Sequence, residues 1–185
     1  MSVLFHKTIE QLDEEKVQIL KARANASDFE PLYNKYFEQL FRFVYQRVES
    51  KEEASDITSQ VFLKALVNLR NYEYRKVPFS AWLYRIAINE ISSYYSASKK
   101  NRIVNIDSLQ LSNLFDDSIS ELKEERIEKI ISALRHLAGE DLLLIEMRFF
   151  ENRAFKEIAD ILSITENNAK VKVYRVLDKL KLQIL

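Results

Sequence analysis

Cysteine is absent, which excludes a disulfide framework and any thiolate metal site and leaves no feature that requires an oxidising compartment. Glycine occurs once, at Gly139, so no glycine-rich loop is available to cradle a phosphate. The two histidines, His6 and His136, lie in different segments, and Asp116 and Asp117 fall in an aperiodic stretch. No nucleophile, base and orienting group come together, so no catalytic residue, metal site or cofactor is expected. The start, MSVLFHKTIEQLDEEK, is charged within a few residues and lacks an apolar core of signal-peptide length. No later run approaches the roughly 18 apolar residues of a membrane span, which predicts a cytoplasmic protein without membrane insertion. An excess of basic charge is missing too: the formal net charge is +0, against the basic character usual in nucleic-acid-binding domains.

What is present is a chain of 185 residues, 47% hydrophobic, enough for one ordinary domain or two small ones. With two prolines (Pro31 and Pro78) beside its lone glycine, and Leu, Ile, Ala, Glu and Lys dominant, the expected fold class is all-α. Periodicity supports this. A helix is predicted from Thr8 to Ala24. Phe29, Leu32, Tyr36, Leu40, Val44 and Val48 then mark a long amphipathic helix with Ser27 or Asp28 as N-cap and Pro31 in its first turn. Lys51 to Leu69 form the next, and Phe79, Trp82, Leu83, Ile86 and Ala87 repeat the pattern in one running to about Tyr95, with Trp82 in core phase. The pattern dissolves over 99–122 and resumes at Ile127, with breaks at AGED and ENR before FKEIADILSITENNAKVKVYRVLDKLK. Two small helical domains, 8–98 and 123–185, on an acidic flexible linker over 99–122 are expected. Local charge reinforces the division. Arg70, Arg75, Lys76, Arg85, Lys99, Lys100 and Arg102 against Glu73 and Glu90 give +5, whereas 103–128 carries seven acids against Lys123 and Arg126, or −5.

The last segment reads as two helices around a short turn at Ser163 to Thr165. Phe155, Ile158, Ala159 and Leu162 line one face of the first; Ala169, Val173, Val176, Leu177 and Leu180 line one face of the second. Opposite that second stripe stand Asn167, Val171, Tyr174 and Arg175, with Asn168 and Lys170 at the edges and Lys172 among the nearby cations. Asn can pair bidentately with adenine, Arg with guanine, and Val can meet a thymine methyl. Any αα-hairpin has a polar outer face, but this one is rich in Asn and cations instead of the usual Glu/Lys mixture, as a helix-turn-helix recognition helix requires.

The stretch RFFENRAFKEIADILSITENNAKVKVYRVLDKL resembles region 4, the promoter-reading domain of the extracytoplasmic-function (ECF) group of RNA polymerase sigma factors. SDITSQVFLKAL resembles region 2.2, and FSAWLYRIAINE resembles regions 2.3 and 2.4. The resemblance implies a transcription initiation factor that is not an enzyme and that reads two promoter elements. Region 4 would read the minus-35 element through Asn167, Asn168, Lys170, Val171, Lys172, Tyr174 and Arg175. Region 2 would read and melt the minus-ten element. Tyr72, Tyr74, Arg75 and Lys76 lie in a loop mixing aromatics with cations, Arg85, Asn89, Ser92 and Ser93 on the helix after it, and Lys99 and Lys100 are placed to track phosphates. Asp56, Ser59, Gln60, Leu63 and Val67 would dock on core RNA polymerase, whose β′ clamp helices and β flap are the implied contacts. Apolar residues on two faces of that helix suit either a partner or a neighbouring helix of the same domain. The resemblance admits an anti-sigma factor as a further partner. The chain departs from the family pattern at Ser59, Gln60, Ser93, Ser163, Asn168 and Val171, and lacks the glycine usual before Pro78. The chain stops just after the recognition helix, so no C-terminal regulatory extension is expected. The rival reading is a dimeric helix-turn-helix regulator of palindromic sites.

Overall fold

In the computed structural model, which describes residues 8–75, 77–98 and 124–184, several helix starts have a side chain that satisfies their first free amides. Thr8 starts α1 (Ile9–Ala24) and Ser50 starts α3 (Lys51–Asn68), each through a capping box. The hydroxyls accept from the Gln11 and Glu53 amides at 3.2 and 3.1 Å, and those two side chains accept in return from the cap amides at 3.0 and 3.2 Å. Between them, a 3-10 turn (Ala26–Phe29) leads into α2 (Glu30–Tyr45), which carries Pro31 in its first turn. The N-cap differs from the expected Ser27 or Asp28. The N-cap of α2 is Phe29, which makes no side-chain cap bond; the capping side chain lies one element earlier, where the extended Asn25 lets its Oδ1 accept from the Ser27 amide at 3.2 Å and so start the 3-10 turn. The apolar period also outlasts α2: Val48 is fully buried, but from the turn beyond the helix end.

A second 3-10 turn (Leu69–Asn71) closes α3, and α4 (Phe79–Ser98) follows the loop. Packing of α3 against both α2 and α4 encloses Leu40, Val44, Ala54, Val61, Ala65, Leu83 and Ala87. Phe62 packs among Phe29, Tyr33 and Phe37 at centroid distances of 6.3, 4.7 and 6.3 Å. Truncating a buried ring of this kind to Ala costs about 3–5 kcal/mol. Among the described residues of this unit two charged side chains are buried, Glu15 and Arg47. Arg47 donates to the Phe43 carbonyl at 2.8 Å, with its guanidinium 3.8 Å from the Phe43 ring centroid. The Tyr95 hydroxyl donates to the Arg47 carbonyl at 2.5 Å and the Tyr94 hydroxyl to the Glu53 carboxylate, fastening the end of α4 to the α2–α3 junction.

The second unit comprises α5 (Glu124–Arg135), α6 (Gly139–Ile145), α7 (Phe155–Leu162) and α8 (Glu166–Ile184). The break expected at AGED is narrower than its letters, since α6 begins at Gly139 itself. A π-helical turn (Glu146–Phe150) extends α6 and closes at Asn152, whose φ of 54° is one that Asn tolerates better than most residues. That geometry lets the Arg153 amide donate to the Met147 carbonyl at 2.9 Å and buries Arg153, whose Nε lies 2.6 Å from the Glu151 carboxylate. The long α8 packs against α5, α6 and α7, burying Ala169, Val173, Val176, Leu177 and Leu180. The chain divides into its two units between Ile103 and Val104, and the expected acidic linker over 99–122, with Lys99 and Lys100, lies outside the described residues. Among the described residues there is no strand, and no helix is long and apolar enough to cross a membrane.

Candidate DNA-facing and polymerase-facing surfaces

The turn between α7 and α8 is built from two side-chain choices. Ser163 adopts the left-handed conformation, φ 57° and ψ 42°, which ends α7 and turns the chain sharply; the Ile164 amide then donates to the Ala159 carbonyl at 3.0 Å. Thr165 starts α8, its hydroxyl accepting from the Asn168 amide at 3.2 Å. Asn167, Asn168, Lys170, Val171, Tyr174 and Arg175 are consequently exposed, with Val171 and Tyr174 each 47% accessible. Lys172 differs from the expectation. It is half-buried, because it flanks Val173 and lies one turn from both Ala169 and Val176 on the packed side of the helix. Behind the lip, the Arg148 guanidinium lies 4.6 Å from the Phe155 ring centroid and that ring 6.0 Å from Tyr174, so a cation and an aromatic support the exposed tyrosine.

In the first unit, the aromatic loop before α4 is divided in its roles. Tyr72 was expected among base-stacking residues, but it is only 6% exposed. Its ring packs against Phe79 at 5.2 Å and Trp82 at 4.8 Å, making it core. Burial first, and the Glu15 carboxylate second, push its hydroxyl pKa up to about 12. Tyr74 is half-buried with the Lys16 ammonium 5.4 Å from its ring centroid, while Arg75 is exposed and pairs with Glu73 at 3.0 Å. Trp82 is half-buried against Tyr72 and Phe79, in keeping with its core phase. Along α4, the half-buried Arg85 and the exposed Asn89, Ser92 and Ser93 follow helical spacing on one face. Lys76, like Lys99 and Lys100, lies outside the described residues.

On α3, Asp56, Ser59, Gln60, Leu63 and Val67 form a continuous exposed stripe. Leu63 is 53% and Val67 68% accessible, so no neighbouring helix among the described residues covers them; Leu66, by contrast, is half-buried. A grouped apolar exposure of this kind marks an interaction surface.

One residue that organises the site escaped the sequence reading. Glu15 looks like part of a solvated acidic run, LDEEK, yet it is fully buried. It accepts from the Phe79 amide at 2.9 Å and from the Tyr36 hydroxyl, with Lys35 Nζ at 3.4 Å. The available signal was its phase, on the same face as Ile19 and Ala22. Desolvation and the nearby carboxylate raise the Tyr36 pKa well above its ordinary value.

Comparison with known proteins follows the same division. Residues 32–101 match the family model for sigma-70 region 2, and residues 127–180 match that for sigma-70 region 4. The chain is 28% identical over 160 residues to the ECF RNA polymerase sigma factor BldN of Streptomyces coelicolor, covering 84% of this chain and 60% of BldN. To RNA polymerase sigma factor SigZ of Bacillus subtilis it is 29% identical over 157 residues, covering 83% of this chain and 85% of SigZ. Among solved structures, CnrH in complex with the cytosolic domain of CnrY matches with a TM-score of 0.56 at 18% identity, over 90% of this chain and 94% of CnrH, a likeness of fold.

Proposed function

This chain belongs to the ECF group of the sigma-70 family of RNA polymerase sigma factors, and from that premise we propose how its exposed surfaces divide the work of transcription initiation. Sigma factors bind polymerase and promoter DNA and direct initiation; catalysis belongs to the polymerase. The α3 stripe from Asp56 to Val67 docks on the β′ clamp helices, burying Leu63 and Val67, and the second unit engages the β flap. Asn167, Asn168, Lys170, Val171, Tyr174 and Arg175 read the minus-35 element in the major groove, with Lys172 reaching a phosphate from the helix flank. Tyr74, Arg75, Arg85, Asn89, Ser92 and Ser93 read the minus-ten element, and Lys76, Lys99 and Lys100 track phosphates. Tyr72 is left out, since its ring is committed to the core. An anti-sigma factor is a further partner that would compete for the α3 stripe.

The observation that carries this reading is the α8 lip: amides, a guanidinium and an apolar Val exposed together on a helix started by Thr165 and opposed by a fully packed stripe. The test is in-vitro transcription with bacterial core polymerase on pooled promoter fragments, with and without the protein. Defined start sites that need the protein are expected, and they supply both promoter elements. No start sites, together with failure to co-elute with core enzyme, would leave a helix-turn-helix regulator as the better account.

A further inference from the structure

α1 lies N-terminal to the stretch that matches region 2, and its inner face does something the periodicity alone does not require. Glu15 accepts from the Phe79 amide at 2.9 Å, and Phe79 is the first residue of α4. A carboxylate at that point satisfies one of the helix's free amides and complements the positive end of its dipole. Two turns further along α1, Arg23 Nε donates to the Leu69 carbonyl at 2.9 Å, where α3 gives way to its 3-10 turn. One helix therefore grips the chain just before and just after the loop that holds Tyr74 and Arg75, and Lys16 lies over the Tyr74 ring between the two grips. The Glu15 grip is locked from behind: the carboxylate is fully buried, held also by the Tyr36 hydroxyl and approached by Lys35 at 3.4 Å.

We propose that α1 is a clasp on the minus-ten loop, with Glu15 and Arg23 as positioning residues that fix both ends of the loop, so that Tyr74 and Arg75 meet an unpaired base in one geometry. The clasp rests on the minus-ten assignment made above. Its specific consequence is selectivity: a loop released at either end still carries the same aromatic and cation, but presents them in many poses, so the difference in affinity between bases shrinks.

The test uses the full chain assembled with core polymerase and forked DNA probes carrying each of the four bases at every unpaired minus-ten position. Glu15→Ala is expected to lower the ratio of best to worst base by roughly tenfold, the scale of one lost charge-assisted hydrogen bond. Glu15→Gln, which keeps an acceptor for the Phe79 amide, is expected to recover part of that ratio. Arg23→Ala, at the partly exposed end, is expected to act in the same direction. Affinity for core polymerase, measured by competition, should stay within about twofold for all three, since the α3 stripe is untouched. Should Glu15→Ala fail to fold, Glu15→Gln and Arg23→Ala carry the test. An unchanged base ratio in these two, or a fall in core affinity matching the fall in ratio, overturns the clasp. Tyr74→Ala and Arg75→Ala separate the two ideas. If they reduce the ratio while Glu15→Gln and Arg23→Ala do not, the clasp alone fails; if they leave it unchanged, the loop is not the reader and the clasp falls with it.

Discussion

The Tyr72 hydroxyl is buried without a hydrogen-bond partner among the described residues, a state that costs free energy where the ring itself gains it. Tyr72→Phe is therefore expected to leave stability at pH 7 unchanged or raise it by about 1 kcal/mol, with no loss of promoter use. High pH exposes the same group differently. Tyr36 and Tyr72 both have folded pKa values raised above the ordinary 10.0, Tyr72 to about 12, with burial the largest cause, Glu15 and Tyr74 adding to it and Arg85 and Arg23 opposing. The folded state holds these protons more tightly than the unfolded chain, so their contribution is complete below pH 10 and drains away as pH climbs toward 12. Thermal midpoints followed by circular dichroism from pH 8 to 12 should fall over that range, and fall less in Tyr72→Phe; an equally steep fall would mean that other groups govern it. On α8, proposed to read the minus-35 element, Asn167→Ala with Arg175→Ala is expected to weaken recognition by about 1–3 kcal/mol per lost bidentate contact. Unchanged transcription from the cognate promoter would mean that another face reads the DNA.

At the scale of elements, α3 and α8 each bury one stripe and expose another, and the two exposed stripes differ in chemistry. Leu63→Asp with Val67→Asp puts charge where a polymerase contact would remove water, and should weaken core binding by at least tenfold while the domain still melts cooperatively. Co-elution and competition assays measure the first, circular dichroism the second; full core affinity would exclude this stripe as the docking face. Periodicity made these elements legible because apolar spacing reports the packed side directly: all five residues assigned to the inner face of α8 are buried. It failed where a polar side chain takes a packed position or an apolar one leaves it. Glu15 sits in a run of acids yet is enclosed by partners supplied by Tyr36 and Phe79, and no local pattern announces a bond spanning 64 residues. Tyr72 shares a sequence of aromatics and cations with Tyr74 but turns inward onto Phe79 and Trp82. The Ser163 turn was visible as a break, whereas its left-handed backbone was not, because Ser is not the residue that conformation favours.

For the molecule as a whole, the proposed function makes two small reading surfaces on one polymerase a bivalent binder, in which the 99–122 stretch would set the effective concentration of each for its DNA element. The free protein is expected to bind promoter DNA poorly, with tight binding only in the holoenzyme. Doubling the linker with a sequence of the same charge should lower promoter affinity by only about threefold, whereas the two units supplied as separate chains should lose most activity. Transcription titrated at limiting protein measures both, and equal activity of the separated units would remove the bivalency argument. Synthesis imposes an order on the same chain. α1 leaves the ribosome carrying a carboxylate whose partners at Lys35 and Tyr36 follow soon after, whereas its partner at the Phe79 amide trails it by 64 residues. Until that amide emerges, α1 cannot finish docking, so α1 closes onto the start of α4 only as translation passes it.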